Sequence, residues 1–201
     1  MNVTTRGMLT RQQILDAAQR LIENEGFSRL TTKEIAIEAG VAEGTVFKHF
    51  KSKDELSLAV VLENSPKFRT TLSEKRAGRG SVQKNLAEIA RTALEFSEKL
   101  IPLAAALLAD TKLLARQRQL LNESGRGPKD AFDLIATYIS GEQKLGRINR
   151  GAEPLMVSAL LLGACFHRAF IRQGMGKHLL PMADHEFAAT VAATLMHGLR
   201  P

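Results

Sequence analysis

The sequence of 201 residues predicts an all-α protein of about nine helices. Apolar residues recur at spacings of three and four along most of the chain, and this spacing places them on one face of a helix. Helix-start signals, in which Thr or Ser is followed three residues later by Glu or Gln, occur at Thr10, Thr31 and Ser52. No stretch alternates apolar and polar residues over more than a few positions, so β-strands are not expected.

The composition is typical of a soluble globular protein, with 44% hydrophobic and 24% charged residues. Cys165 is the single cysteine, so an internal disulfide is excluded, as expected in a reducing cytoplasm. No apolar run typical of a signal peptide follows Met1. The longest apolar run, from Leu155 to Phe166, is shorter than the roughly 20 residues that span a bilayer. These features predict a cytoplasmic protein without a membrane partner.

Residues 1–9 show no helical spacing and are predicted to form a flexible N-terminal arm. The first helix should begin at Thr10 and end near Gly26, because a capping signal opens it and a glycine closes it. Its core face is formed by Ile14, Ala18, Leu21 and Ile22. This helix is the first of three in a domain predicted to span residues 1–52.

Two short helices joined by a tight turn follow in this domain. A capping box at Thr31 starts a helix of about two turns, and Gly40 ends it. The next helix, over residues 43–50, turns Val46 and Phe50 toward the core. This arrangement is typical of a helix-turn-helix, whose second helix enters the major groove of DNA.

The segment from Thr31 to Leu56, which reads TTKEIAIEAGVAEGTVFKHFKSKDEL, resembles the N-terminal signature of the TetR family of bacterial transcriptional regulators. The resemblance covers residues 10–60 closely and the remaining chain only in layout. Members of that family are dimeric, all-helical and usually released from DNA by a ligand. The resemblance therefore implies a repressor that binds a palindromic double-stranded DNA operator and is released by a small, largely apolar effector. The alternative is a factor of the same fold that organises DNA or binds another protein, without a small-molecule ligand.

The resemblance implies DNA contacts in and around the second helix of this motif. The residues concerned are Thr32, Gly44, Thr45, Phe47, Lys48, His49 and Lys53. Thr45 and Lys48 are expected at bases or phosphates, whereas Thr32, His49 and Lys53 are expected at phosphates. Thr32 could instead help to cap its helix, and Lys53 could be an ordinary solvated side chain.

Two positions depart from the usual pattern of the family. Phe47 stands where the family often has Tyr, whose hydroxyl binds phosphate, so Phe47 is expected either to pack or to contact a thymine methyl group. Ala42 stands where the family often has a capping Ser. The second helix should therefore start without a side-chain cap, at a cost of about 1 kcal/mol.

The net charge of the chain is +7, but its distribution does not by itself indicate DNA binding. Residues 1–55 contain eight Lys or Arg and eight Asp or Glu, and the whole positive excess lies in residues 56–201. Only an arrangement in which Lys48, Lys51 and Lys53 share one side would create a basic DNA-binding surface.

Residues 53–201 are predicted to form a helical ligand-binding and dimerisation domain. Residues 53–76 form its connector helix, which is apolar on two sides and is interrupted near Pro66. The next helix should end near Leu100, and Pro102 should open a further helix, because proline suits a first helical turn.

The last two helices, about residues 154–173 and 183–199, predict a homodimer. The first of them is apolar nearly all round, so it must be buried on every side. Small residues such as Ala159 and Ala189 would let helices approach closely. We expect a four-helix interface with two helices from each subunit, as in the resembled family. An interior core helix of a single chain is the alternative.

The resemblance also implies an apolar effector cavity between the helices of this domain. Its candidate lining residues are Phe96, Leu100, Leu103, Leu107, Phe132, Ile135, Tyr138, Ile139, Phe166, His167 and Phe170. The same spacing is also that of an ordinary hydrophobic core. His167 and Arg168 could orient a ligand or form salt bridges across the dimer. Cys165 could sense redox state, although a cysteine in apolar surroundings is ordinarily inert.

No catalytic site, cofactor or metal is expected. The five histidines lack the spacing of a metal site such as His-Glu-x-x-His, and no glycine-rich phosphate loop follows a strand. The sequence therefore does not predict an enzyme.

Overall fold

The computed structural model describes residues 3–25, 30–63, 66–109, 111–124, 128–177 and 179–199. These residues form ten α-helices and no β-strand, which confirms the predicted all-α class. The helices are α1 (Val3–Glu25), α2 (Thr32–Glu38), α3 (Glu43–His49), α4 (Lys53–Glu63), α5 (Pro66–Glu74), α6 (Val82–Ala109), α7 (Thr111–Ser124), α8 (Pro128–Lys144), α9 (Pro154–Met175) and α10 (Asp184–Leu199). Their number exceeds the expected nine because the connector forms two helices, α4 and α5.

α1 begins at Val3, so most of the predicted flexible arm over residues 1–9 is helical, whereas Met1 and Asn2 lie outside the described residues. The capping signal at Thr10 therefore lies inside a helix and does not start one. Once the core-packed part of α1 is helical, further turns cost little, because each added residue brings a hydrogen bond without a new nucleus.

The predicted interruption of the connector near Pro66 is confirmed. α4 ends at Glu63 and α5 begins at Pro66. Proline has no amide hydrogen, and an amide in the first turn of a helix has no acceptor within that helix, so Pro66 suits the start of α5. Beyond the connector, α6 ends at Ala109 and a separate helix, α7, begins at Thr111.

α6 continues through Pro102, so the predicted helix end near Leu100 and new start at Pro102 are wrong. The proline ring offers no amide hydrogen to the carbonyl of Glu98, four residues earlier. That carbonyl instead accepts a hydrogen bond from Nε2 of Gln173, in α9, at 2.8 Å. This partner offsets the bond lost at Pro102, and the helix is not broken.

The chain divides into two compact units. The first consists of Met1–Ser65 and Pro102–Arg126, and the second consists of Pro66–Ile101 and Gly127–Pro201. The first unit extends beyond the predicted domain of residues 1–52, because α4 packs against α1 and α7 packs against α4. α4 and α7 therefore group with the helix-turn-helix.

Each unit has its own hydrophobic core. The core of the first unit is formed by Ile14, Leu15, Ala18, Ile22, Leu30, Ile35, Ala36, Val46, Phe50, Leu56, Ala59 and Val60. In the second unit, fully buried side chains of α6, α8, α9 and α10 meet; among them are Leu86, Ile89, Ile135, Ile139, Leu161 and Ala192. The helix-turn-helix is thus held by a core that contains α1, α2, α3 and α4.

α9 is long and apolar enough to cross a membrane, judged by length and composition alone. The sequence-based expectation concerned only the apolar run from Leu155 to Phe166, whereas the helix that contains this run has 22 residues. Core helices of soluble proteins meet the same criterion, so one such helix is a weak sign of a membrane span. The ends of α9 are capped as in a globular protein: the Glu153 carboxylate accepts a hydrogen bond from the N–H of Met156 at 2.6 Å, and Gly176 closes the helix with φ +67°.

Candidate functional site

The start of α2 is built by the predicted capping box. The hydroxyl oxygen of Thr31 accepts a hydrogen bond from the N–H of Glu34 at 3.2 Å, and the Glu34 carboxylate accepts one from the N–H of Thr31 at 3.0 Å. These bonds satisfy two of the amides that a helix start leaves free. Ile35 and Ala36 are buried and hold α2 to the core.

The turn between α2 and α3 is also the predicted one. Gly40 has φ +66°, a left-handed conformation that residues with a side chain rarely adopt. Its N–H donates to the carbonyl of Ile37, and the N–H of Val41 donates to the carbonyl of Ala36 at 2.9 Å. This pair of bonds is a Schellman motif, which closes α2 and redirects the chain. α3 then begins without a side-chain cap at Ala42, as predicted.

α3 turns one face inward and the opposite face outward. Val46 and Phe50 are each 1% exposed and anchor the helix and its C-terminal end in the core. At 3.6 residues per turn, Gly44 and Lys48 lie opposite these anchors, and both are exposed. Phe47 lies between the two faces and is 50% exposed. We call Gly44, Phe47 and Lys48 the outer face of α3.

The packing of the protein itself does not require a glycine at position 44. A Cβ atom added to Gly44 would meet no atom within 4 Å, and its φ lies outside the left-handed region. Glycine inside a helix costs about 0.5–1 kcal/mol relative to alanine. The fold would therefore be at least as stable with alanine there, and a role of Gly44 at DNA stays a prediction.

Two acidic residues of α2 and α3 are engaged within the unit. Glu38 pairs with Arg20 of α1, with 2.7 Å between Oε1 and Nε. Glu43 accepts a hydrogen bond from the hydroxyl of Thr32 at 2.7 Å, which ties the start of α2 to the start of α3. Thr32 is thus partnered by Glu43 and does not act as the side-chain cap of α2, the alternative that the sequence left open. Its contact with phosphate stays a prediction.

α4 starts after Ser52 as predicted, but one bond of the expected capping box is displaced. The Ser52 hydroxyl oxygen accepts from the N–H of Glu55 at 3.2 Å, whereas the Glu55 carboxylate accepts from the N–H of Lys51 at 2.8 Å. Lys53, the first residue of α4, is partly buried and is engaged within the chain. Its contact with phosphate also stays a prediction.

Thr45 and His49 lie along the flank of α3 and are partly buried. The N–H of Thr45 donates to the carbonyl of Ala42 at 2.8 Å, in the first turn. The ring of His49 lies 6.5 Å from that of Phe50, measured between centroids. Both side chains thus border the outer face of α3.

Sequence reasoning missed three features of this unit. The guanidinium of Arg11 lies over the ring of Phe50, 4.6 Å from its centroid, and this cation–π contact ties α1 to the end of α3. Lys33 is exposed in the first turn of α2. Ile37 is 71% exposed. The signal for Ile37 was present, because it falls off the apolar stripe that carries Ile35.

The predicted effector residues of the second unit differ in burial, and their role as a cavity lining stays a prediction. Those that are buried or partly buried are Phe96, Leu100, Phe132, Ile135, Tyr138 and Ile139. Phe96 packs on the core and stacks on Phe68, with ring centroids 5.2 Å apart. The side chains of Leu103 and Leu107 lie outside the described residues.

Three further predicted effector residues lie on the outward side of α9, and their place at an effector cavity between helices stays a prediction. Phe166 and Phe170 are 42% and 52% exposed and stack on each other with centroids 6.3 Å apart; His167 is also exposed. The core face of the helix is formed by Val157, Ser158, Leu161, Cys165, Arg168 and Ala169. The helical period places the three residues away from this face.

Arg168 is 6% exposed, and its charge is paired within the chain. It contacts the carboxylate of Asp184 at 2.9 Å and donates to the carbonyls of Met182 and Leu180. Burial alone would raise the pKa of Asp184, but hydrogen bonds and charges from Arg168 and Arg172 outweigh it and hold that pKa below its usual 3.8. Arg168 therefore organises the start of α10.

Cys165 is fully buried, and its thiol lies 3.3 Å from the carbonyl oxygen of Ala90. Burial raises the pKa of this thiol to about 12, so the reactive thiolate does not form at neutral pH. Its burial and raised pKa favour a packing role for Cys165 over a redox-sensing one. Within the described parts of the chain, no group of three or more His, Cys, Asp or Glu is placed to hold a metal ion.

Comparison with known proteins agrees with this geometry. A model of the family described as bacterial regulatory proteins, tetR family, matches residues 14–60, which contain the helix-turn-helix. The chain is 25% identical to the HTH-type transcriptional regulator YvkB of Bacillus subtilis (strain 168) over 193 residues, which cover 94% of this chain and 97% of that relative.

Solved structures share the fold over nearly the whole length. A TetR-family transcriptional regulator from Mesorhizobium loti has a TM-score of 0.73 at 18% identity, with 98% of this chain and 99% of that chain covered. The transcriptional regulator FadR from Bacillus subtilis, solved in complex with stearoyl-CoA, has a TM-score of 0.69 at 19% identity, with 93% and 98% covered.

Proposed function

This chain belongs to the TetR family of bacterial transcriptional regulators, and on that premise we propose that it is a cytoplasmic, homodimeric repressor. It binds a palindromic double-stranded DNA operator through α3 and is released by a small, largely apolar effector. The observation that carries the proposal is the outer face of α3, which is exposed while Val46 and Phe50 are buried. A helix anchored in this way fits a major groove about 12 Å wide.

Each residue of the outer face has chemistry that suits this role. Gly44 lets the helix backbone approach the DNA closely. Lys48 supplies a cation for a phosphate or for a guanine edge. Phe47 supplies an apolar contact for a thymine methyl group, where a tyrosine hydroxyl would bind phosphate. Thr45 and Lys53 lie beside this face and contact phosphates.

The outward side of α9 supports the homodimer. Met156, Leu160 and Phe170 on this side are between 52% and 58% exposed, and together they form an apolar stripe of the kind that marks a protein interface. Ala189 and Ala193 of α10 are small and permit close helix approach. A two-fold interface presents α3 twice, and the two half-sites then lie about 34–36 Å apart or at a multiple of that distance.

The effector is proposed to bind among the helices of the second unit. FadR, which shares the fold, was solved with stearoyl-CoA, and this supports a ligand with a long apolar part. A ligand switches the protein only through a difference in its affinity for the DNA-bound and released conformations. Native mass spectrometry of purified protein tests for such a ligand. Protein that carries none, and whose operator binding no apolar compound alters, would favour the DNA-organising alternative.

Gly44→Ala tests the DNA-binding surface with a single methyl group. Operator sequences are first selected from random DNA, and the selected duplex is then titrated with wild type and variant. Operator affinity is expected to fall about five- to 150-fold, because overpacking a close contact costs about 1–3 kcal/mol. The free energy of unfolding should stay the same or rise by up to about 1 kcal/mol, since nothing in the chain occupies that space.

Gly7→Ala is the matched control, because Gly7 also has no atom near an added Cβ and belongs to α1 rather than to the outer face of α3 or the outward side of α9. Its operator affinity should equal that of the wild type. Full operator affinity in Gly44→Ala would show that the backbone of α3 does not approach DNA at this point. Selected sequences without dyad symmetry would contradict the homodimer.

A further inference from the structure

A groove of about 870 Å³ opens on the surface of the second unit between α5, α8 and the start of α9. Its lining includes Leu72 and Arg76 from the α5 side, Tyr138 and Lys144 from α8, and Leu155 from α9. Only Tyr138 is shared with the predicted effector residues. The groove is therefore a different site from the apolar cavity implied by family resemblance.

The floor of the groove is held in place by tight packing. A Cβ atom added to Gly141 would lie 2.6 Å from the Cβ of Ala77, so the turn after α5 rests directly on the backbone of α8. The Asn85 amide fixes the same region, because its Nδ2 donates to the hydroxyl of Tyr138 at 3.0 Å and to the carbonyl of Arg79 at 2.9 Å. The groove is thus formed before any ligand binds.

The acidic side chains that line the groove are already engaged. Asp133 pairs with Lys129 at 2.5 Å. Glu153 caps α9 by accepting the N–H of Met156. One lining cation is also neutralised, because Lys75 pairs with the carboxylate of a neighbouring residue, Glu88 of α6. Lys129 therefore offsets the charge of Asp133, whereas Glu153 keeps its negative charge at the start of α9.

Two other lining cations have no such partner. Arg76, in the turn after α5, and Lys144, in the last turn of α8, are exposed, and within the described parts of the chain neither side chain makes a hydrogen bond or an ion pair. Beside them, Leu134 and Leu155 are 40% and 48% exposed on the groove walls. The groove therefore combines free positive charge with uncovered apolar surface.

We propose that this groove binds a small organic anion, in which one carboxylate is joined to an apolar body. Arg76 and Lys144 hold the carboxylate, because their charges are not neutralised by the groove's own acids. The apolar body covers Leu134 and Leu155 and removes their surface from water. The site requires neither DNA binding nor the release mechanism proposed above.

The test is isothermal titration calorimetry of the full chain with octanoate, with octanol as an uncharged probe of the same length. Wild type should bind octanoate more tightly than octanol, and added salt should weaken only octanoate. The double variant Arg76→Gln/Lys144→Gln should bind octanoate about two- to thirtyfold more weakly, since it removes two partly solvated charge pairs. Octanol binding should be unchanged in that variant.

Lys84→Gln is the matched control, because Lys84 is exposed on α6 but does not line the groove. It should bind octanoate as the wild type does. Equal octanoate affinity in the wild type and the double variant would place the ligand elsewhere, for example in the effector cavity, and would overturn the proposal. No octanoate binding by the wild type would overturn it as well. Operator affinity of the double variant should match the wild type, so a failure here is separable from a failure of the repressor proposal.

Discussion

Gly141→Ala probes the contact between α8 and the turn that follows α5. The added Cβ would lie 2.6 Å from the Cβ and 4.0 Å from the Cα of Ala77. Carbon atoms in normal contact are about 3.5–4.0 Å apart, so α8 and the turn must separate by roughly 1 Å. The atom that is met belongs to a side chain one bond from the backbone and cannot rotate away. The turn itself must therefore move.

Two opposing terms set the size of the effect. Overpacking a close contact costs typically about 1–3 kcal/mol. Alanine in place of glycine inside a helix regains about 0.5–1 kcal/mol. The difference between them predicts that Gly141→Ala lowers the free energy of unfolding by roughly 0.5–2 kcal/mol.

Urea denaturation followed by circular dichroism, at one fixed protein concentration, measures this change. The matched control is Gly7→Ala in α1, where an added Cβ meets nothing within 4 Å. Gly7→Ala should leave stability unchanged or raise it by up to about 1 kcal/mol. If Gly141→Ala proved as stable as Gly7→Ala, Ala77 could not lie against Gly141, and the tightly packed floor of the groove would be refuted.

Two further predictions concern α9 and α10. Leu160→Lys places a charge in the exposed apolar stripe of α9 and should separate the dimer into monomers. The particle mass measured by light scattering should therefore fall from twice the chain mass of 22.0 kDa to the chain mass itself. A variant that remains dimeric would exclude this side of α9 as the interface. Asp184→Asn should lower the free energy of unfolding by about 1–2 kcal/mol at neutral pH, because it leaves the buried Arg168 without a counter-charge, whereas Arg172 keeps its ion pair with Glu98. Since the folded-state pKa of Asp184 lies below 3.8, its stabilisation is complete above the unfolded pKa and is lost as the pH falls through the lowered pKa. The difference between wild type and variant in urea denaturation should therefore shrink as the pH is taken below 3.8, and a constant difference would refute the ion-pair role.

The helix-turn-helix was predictable because its determinants are local. A capping box needs two residues three positions apart, and the end of α2 needs a glycine that tolerates positive φ. Thr31, Glu34 and Gly40 supply both, and the structure uses them as expected. The inward positions of Val46 and Phe50 follow from the period of one helix.

Elsewhere, distant partners decided where helices end. Pro102 is an ordinary stop signal, yet α6 continues because Gln173 from α9 satisfies the carbonyl of Glu98. No local pattern around Pro102 contains Gln173. The predicted start at Pro102 is wrong because a distant partner satisfies the carbonyl that proline leaves free. The predicted start at Thr10 is wrong for a different reason, because extending an existing helix by further turns costs little.

The predicted site residues on α9 show the same contrast between what a local pattern indicates and what distant contacts decide. Its composition shows that it needs apolar neighbours on most sides, but not which neighbour covers which side. The contacts of α9 with α8 and α10 turn Leu161 and Cys165 inward and leave Leu160 and Phe170 outward. Phe166 and Phe170, which were predicted to line a cavity, are therefore candidates for an interface.

The amino-acid order by itself determined the helix class, the family, the capped helix-turn-helix and the residues that α3 directs outward, because these depend on interactions within a few residues. Only the tertiary structure decided that α6 continues through Pro102, that Arg168 forms an ion pair with Asp184, and that Arg76 and Lys144 line the same groove. Those outcomes depend on pairs of residues far apart in the chain, and their proximity follows from packing rather than from any local pattern.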